Sequence, residues 1–433
     1  MISGDLALSG AAVALIGVIL YCRYVGGGWR SPVGFLGATW AVAALPALMF
    51  ETQGLQAAAY VLCAVFLLGT AVGYVAAMNG VRSSTDRLAA PANLPEVDPG
   101  PLRFLIAFGG CCGLAAVCAY VVLAEERPSS FTDLEGWLAI PVQYSVARYG
   151  GDFVEPIAVR LLLAFNYAAS ITSGLLIGLT GLKGKMKIVS LPLVASCLVT
   201  LLTTAKAPML IAILGSLAGY LAARVGRPRN EARKRSVLPG LLLGVLLAFI
   251  AVMSMVFRYG MSDDVDTDLL ADRLIGYFFG HMYALSAWCQ FGDLLQADPQ
   301  WGRYTFAGVF EAIGVYQREA GMYSPIALSS MAEESNVFTV FRGVIHDYTL
   351  AGAVVFFVLI GYLCGYVLRL LRRGTCTAGA LTVLTTLYLF FAWSPIVSVV
   401  SYNVIILGLV LVFTTLRIAA QRARLRNSVV GSF

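Results

Sequence analysis

Only two histidines occur in the 433 residues, His281 and His346. A histidine near neutrality can take a proton from a hydroxyl, and His346, in FRGVIHDY, has Asp347 beside it as a possible orienting carboxylate and Arg342 one helical turn before it. A purely structural histidine is the alternative reading for each, and Glu311, Glu319, Glu333 and Glu334 compete as bases. The cations offer a second function, holding an anion. Lys206, in LLTTAKAPML, lies between two apolar runs so close together that its turn sits at or just above membrane depth, either solvated or aimed into a polar cavity. Arg258 ends an apolar run in MVFRYG and Arg342 shortly precedes another, so both can project from helix ends, while Arg160 near the start of a run either joins them or snorkels outward. Several such cations around a dry pocket suit closely spaced anionic oxygens, as in a pyrophosphate. Metal and nucleotide chemistry find no support: there is no HExxH, paired CxxC or phosphate-cradling glycine loop, and SDDVDTDLLAD carries Leu269 and Ile275 where a calcium loop counted from Asp264 needs glycine and glutamate.

The elements that must position these residues are membrane spans. With 59% hydrophobic and 12% charged residues and a mean hydropathy of +0.80, the chain is no soluble globule, which excludes nucleic-acid binding and disulfide-scaffold classes. The expected fold is all-α and polytopic, a single membrane domain over 1–433. Apolar windows predict eleven spans, at 5–22, 32–50, 56–79, 104–124, 156–180, 187–204, 208–225, 237–257, 349–371, 377–394 and 398–418. The N-terminus has no basic stretch before its apolar run, so the first span is expected to be retained.

Placing the arginine-rich C-terminal tail in the cytoplasm puts the N-terminus outside. That assignment leaves 21 of the 30 Lys and Arg inside and nine outside, Arg127, Arg148, Arg160, Lys206, Arg258, Arg273, Arg303, Arg318 and Arg342, whereas only four of the 24 acidic residues face in. The Lys/Arg bias agrees at every cytoplasmic connection. Two exterior segments then stand out, a smaller loop at 125–155 and a large segment at 258–348, the latter expected to cover the site. Both contain apolar periodic stretches, FTDLEGWLAIPVQYSVARY in the first and RLIGYFFGHMYALSAWCQF and RYTFAGVFEAIGVYQ in the second, which read as short helices at the interface.

The segment ESNVFTVFRGVIHDYTLAGAVVFFVLIGYLCG resembles the C-terminal signature of bacterial O-antigen and exopolysaccharide repeat-unit polymerases of the Wzy type. The matching positions are Asn336, Phe338, Thr339, Arg342, Asp347 and Tyr348. Two further stretches are similar: TTAKAPML, like the family's short Lys/Arg turn, and GRYTFAGVFEAIG, like its Gly-Arg-x-Thr stretch. Thr349 and Leu350 depart from the pattern, standing where a glycine often follows the Asp-aromatic pair. The resemblance covers roughly the second half of the chain. It implies a GT-C-like, metal-independent and cofactor-free glycosyltransferase of the bacterial inner membrane. Its substrates would be two undecaprenyl-pyrophosphate-linked glycans, a donor and an acceptor repeat unit, among membrane lipids, and a chain-length regulator is the candidate protein partner. Expected pyrophosphate or glycan contacts are Lys206, Arg258, Arg342, Arg273, Arg318, Arg160, Asn336 and Thr339, and the expected catalytic groups are His346, His281 and Asp347. Two alternatives stand beside it: an O-antigen ligase, which shares the architecture, and a flippase or transporter for an anionic lipid-linked glycan.

Overall fold

The structure, a computed structural model, describes residues 2–50, 54–79, 97–125, 127–130, 132–150, 155–181, 184–225, 252–253, 267–290, 298–316, 326–327, 334–335, 339–373 and 377–430. Its elements are α1 (Ile2–Gly26), α2 (Pro32–Ala44), α3 (Ala57–Asn79), α4 (Pro99–Leu123), α5 (Leu134–Gly150), α6 (Ile157–Thr180), α7 (Met186–Thr203), α8 (Ala207–Arg224), α9 (Thr267–Gln290), α10 (Ala307–Ala312), β1 (Ile326–Ala327), β2 (Glu334–Ser335), α11 (Val340–Arg372), α12 (Ala378–Trp393) and α13 (Asn403–Val430). Among the described residues nine helices are long and apolar enough to cross a membrane: α1, α2 with its 3-10 extension to Met49, α3, α4, α6, α7, α8, α11 and α13. The chain is therefore a helical, multi-pass membrane protein. Every expected span but that over 237–257 coincides with a helix, and that one lies, except for residues 252–253, outside the described residues.

Helix starts follow local chemistry. Ser31 and Asp98 cap α2 and α4, their side chains accepting from the Gly34 and Gly100 amides at 3.1 and 3.0 Å, each with proline in the first turn. Three boundaries differ from the hydropathy reading. The helix expected from 349 begins at Val340, because Thr339 caps an additional two turns. The last span starts at Asn403, since residues 394–402 run through turns and a short 3-10 segment, and it continues to Val430. The exterior stretches expected as short helices include the 17-residue α5 and the 24-residue α9, while α10 is only six residues long.

The chain divides into two compact units. The first comprises residues 1–93, 266–376 and 383–406. At its centre α3 and α11 cross through paired small-residue motifs, Gly69 and Gly73 against Gly361 and Gly365. A Cβ on Gly73 would overlap the Val358 carbonyl, one on Gly361 the Thr70 carbonyl, and one on Gly365 would come within 2.7 Å of both the Tyr74 carbonyl and the Ala77 methyl. Beside this crossing lies an aromatic cluster: Phe341 stacks on Trp40 at 4.5 Å and meets Phe66 at 4.8 Å, and Phe66 stacks on Phe357 at 4.9 Å.

The second unit comprises residues 94–265, 377–382 and 407–433. It repeats the device: Gly174 and Gly178 of α6 face Gly215 and Gly219 of α8, with Gly174 against the Ser216 carbonyl and Gly219 against the Ile171 carbonyl. Polar side chains join its helices as well. Asn166 of α6 donates to Ser196 of α7 at 2.7 Å, and Ser216 of α8 donates to the Ser170 carbonyl at 2.8 Å.

Backbone contact at Gly73, Gly361, Gly174 and Gly219 leaves no room for a side chain. Gly73→Val and Gly361→Val should each lower the melting temperature in detergent by several degrees or stop accumulation of the chain, because overpacking costs roughly 1–3 kcal/mol. Gly17→Val, at a position with nothing within 4 Å, should leave it unchanged. Equal melting temperatures for all three would refute the tight crossing.

Candidate functional site

The site is built at the start of α11. Thr339, fully buried, caps the helix, its hydroxyl accepting from the Phe341 amide at 3.3 Å, and the Val340 amide donates to the Ser394 carbonyl at 2.8 Å. Two turns later the helical backbone is interrupted at Thr349, with φ 63° and ψ 174°. That region belongs essentially to glycine and costs another residue about 1–3 kcal/mol. The Thr349 hydroxyl in turn accepts from the Gly352 amide at 3.5 Å, starting the helix anew.

A helix that stops leaves carbonyls without donors. Here the loop at 300–305 supplies them: the Gln300 amide donates to the His346 carbonyl and the Trp301 amide to the Asp347 carbonyl, both at 3.1 Å. The buried Asp347 carboxylate completes the seam, accepting from the Tyr304 amide at 3.0 Å and the Thr305 amide at 2.6 Å. Ser398 donates to the Thr305 carbonyl at 2.8 Å and fixes the loop from its other side. Gly302, at φ 96°, lies so near the Tyr348 hydroxyl that a Cβ there would sit 3.1 Å from it. Thus the GRYT stretch and the FRGVIHDY stretch, some forty residues apart in sequence, form one structure.

On that support stand the chemical groups. Arg342 Nε donates to His346 Nε2 at 3.4 Å, across the i to i+4 spacing read from sequence. The bond requires a lone pair on Nε2, which places the proton of the neutral ring on Nδ1. The Arg342 guanidinium also lies over Trp288 of α9, 5.5 Å from the ring centroid. Trp288 and Tyr304 flank the imidazole at 5.5 and 5.4 Å. A cation and an imidazole are thereby held between aromatic faces, an arrangement able to bind an anionic oxygen beside a proton acceptor.

The remaining candidates take different places. His281 lies on α9 two turns before Trp288 and is buried. Burial pushes its pKa from 6.5 down to about 4, against the opposing effect of a hydrogen bond with the Ala43 backbone. Its Nε2 has no hydrogen-bond partner among the described residues. Arg273 lies on the same helix, with its side chain outside the described residues; Arg258, Arg318 and Asn336 lie outside them altogether. Lys206 and Arg160 belong to the second unit. Lys206 is buried, 5% exposed, at the start of α8, after Thr204 has turned the chain through φ 53°. Next to it the Thr200 hydroxyl accepts from the Met209 amide at 3.1 Å. Arg160 Nε donates to the Glu155 carbonyl at 3.1 Å, and the Glu155 carboxylate is bonded to the Tyr120 hydroxyl.

Trp288 and Tyr304 were not singled out from sequence. Both lie in stretches marked as apolar and periodic, and the sole further signal is that Trp288 follows His281 by seven residues, on the same helix face. Comparison with protein-family models, curated proteins and solved structures finds no match to this chain.

Two measurements check this geometry. Thr349→Gly should keep or raise the melting temperature, since relief of strain outweighs the few tenths of a kcal/mol lost with the cap; a drop of several degrees would contradict the strained backbone. For His281 the folded ring refuses a proton until about pH 4, whereas the unfolded ring takes one near pH 6.5. Stability should therefore be full above pH 6.5 and fall as pH drops toward 4, by about 3 kcal/mol in all. Thermal unfolding of His281→Gln across that window should show a flatter decline, and a decline identical to that of the native chain would exclude the assignment.

Proposed function

We propose that this chain polymerises lipid-linked oligosaccharide repeat units, transferring a growing glycan from undecaprenyl pyrophosphate to the non-reducing end of another lipid-linked unit. The observation that carries the reading is the junction of the two stretches that resemble repeat-unit polymerases, with the half-buried Arg342 and His346 paired one turn apart and Asp347 locking the loop at 300–305 beside them. In this mechanism Arg342 neutralises the departing pyrophosphate and His346 takes the proton of the acceptor hydroxyl as its oxygen attacks the anomeric carbon. The bond from that carbon to the pyrophosphate oxygen breaks as the new glycosidic bond forms. Asp347 acts as a positioning residue, since both its oxygens are committed to backbone amides. Neither metal nor nucleotide takes part. The chain resides in the bacterial inner membrane with its N-terminus periplasmic, its C-terminus cytoplasmic and residues 258–348 on the periplasmic side, as the Lys/Arg bias supports.

A flippase for the same lipid draws support from the polar residues buried within spans of the second unit, among them Asn166, Ser170, Thr172 and Ser173 of α6 and Ser196 and Thr200 of α7. Liposomes holding the chain and lipid-linked units in one leaflet separate the readings: chain growth without added energy supports the polymerase, and movement across the bilayer without growth supports the flippase. An O-antigen ligase differs in phenotype. Its loss leaves polymer on the lipid carrier, whereas loss of the polymerase leaves single repeat units.

Arg342→Gln and His346→Ala, introduced singly in a strain making the polymer, should reduce polymer by at least tenfold at equal protein level, with single units accumulating. Lys206→Met, tested alongside, reports whether the second unit's buried cation contributes. Polymer ladders of normal length and amount in both first-unit variants would refute the assignment.

A further inference from the structure

Trp288 is 3% exposed, and its indole Nε1–H, a group that can only donate, has no hydrogen-bond partner among the described residues. A buried donor left unsatisfied is costly and calls for an acceptor. The donor belongs to the ring that lies against the Arg342 guanidinium and beside the His346 imidazole, each 5.5 Å away by centroid. His346 cannot serve as the acceptor without giving up Arg342, because its Nε2 lone pair already receives the Arg342 Nε–H. We propose that Trp288 and Arg342 together form an oxyanion subsite that takes a phosphate oxygen of an isoprenyl pyrophosphate headgroup.

The inference rests on the polymerase reading for the identity of the headgroup, and it adds two things to that reading. Trp288 becomes a binding residue in its own right, supplying a neutral donor from the ring that carries the Arg342 cation. Occupancy also has a consequence for His346. An anionic oxygen is a far better acceptor for Arg342 than an imidazole nitrogen at 3.4 Å, so headgroup binding competes with the Arg342–His346 bond and changes the surroundings of the imidazole.

The test uses the full-length chain in detergent and farnesyl pyrophosphate as probe, with farnesol and inorganic pyrophosphate as controls, measured by titration calorimetry. Trp288→Phe keeps an aromatic face for Arg342 and removes only the donor. The sulfur isostere 3-benzothienylalanine at 288 does the same with the size of the indole preserved, should the phenylalanine chain fail to fold. Both should bind farnesyl pyrophosphate roughly 10- to 100-fold more weakly than the native chain, as expected for loss of a hydrogen bond to a charged group. Farnesol should not bind the site, and inorganic pyrophosphate should bind with the same dependence on Trp288 but less tightly. Because the chain has only two histidines, nitrogen-15 resonances of His346 should shift when farnesyl pyrophosphate binds the native chain. Unaltered affinity in the isostere, absence of probe binding to the native chain, or an unmoved His346 resonance overturns the proposal. Probe binding with this Trp288 dependence in a chain that makes no polymer keeps the subsite and removes the polymerase reading; polymer synthesis indifferent to Trp288 does the reverse.

Discussion

Direct backbone contact between helices is the constraint on which the rest depends. In hydrocarbon, apolar side chains gain nothing by turning from lipid to a neighbouring helix, so association relies on close packing and on hydrogen bonds between helices. The first unit meets this need where Gly69 and Gly73 of α3 face Gly361 and Gly365 of α11, the second where Gly174 and Gly178 of α6 face Gly215 and Gly219 of α8. The α11 crossing has a further effect. It immobilises the long part of the helix whose first two turns carry Arg342, His346 and Asp347, so the chemical groups inherit their position from a contact between backbones well down the same helix.

What separates the two parts of α11 is the non-helical residue Thr349, and the site follows from satisfying the carbonyls that its break exposes. An uninterrupted helix would bond the His346 and Asp347 carbonyls to its own next turn. Interrupted, it offers them to Gln300 and Trp301, and the Asp347 carboxylate extends the seam to Tyr304 and Thr305. Strain at one residue is thus exchanged for a rigid loop that sets Tyr304 against the imidazole. The aromatic cluster of Trp40, Phe66, Phe341 and Phe357 presses on the opposite side of these turns, and Trp40 also donates to Ser394, whose carbonyl receives the Val340 amide.

Hydropathy revealed the spans because twenty apolar residues in a row have few other uses. The Arg342–His346 pair was legible from helical spacing alone. Asp347 was not: adjacency suggested an orienter for His346, but a carboxylate on a helix that ends beside it is claimed by amides more than forty residues upstream, and no local pattern announces that loop. The early start of α11 was hidden for a related reason, since the polar FRGVIHDY turns look like a connection until the Thr339 cap and the Ser394 carbonyl are seen to satisfy them. Trp288 carries no signal of its own, because an aromatic residue in an apolar stretch is ordinarily core.

The buried polar groups of the second unit bear on which activity the fold serves. A conduit for a charged headgroup needs polar groups able to change partners as cargo passes. Here Asn166 commits its amide to Ser196, Ser216 its hydroxyl to the Ser170 carbonyl, and Thr200 its oxygen to the Met209 amide, each bond running between two helices of the unit. Gly113 of α4 approaches Asn166 so closely that a methyl there would strike its carbonyl oxygen. Groups fixed in this way hold helices together. In the first unit the polar pair stands at a helix end: Arg342 donates to His346 at 3.4 Å and lies over the Trp288 ring of α9. Polar bonds between helices thus secure the spans of the second unit, and the polar pair of the first unit sits at the start of a helix instead of within a span.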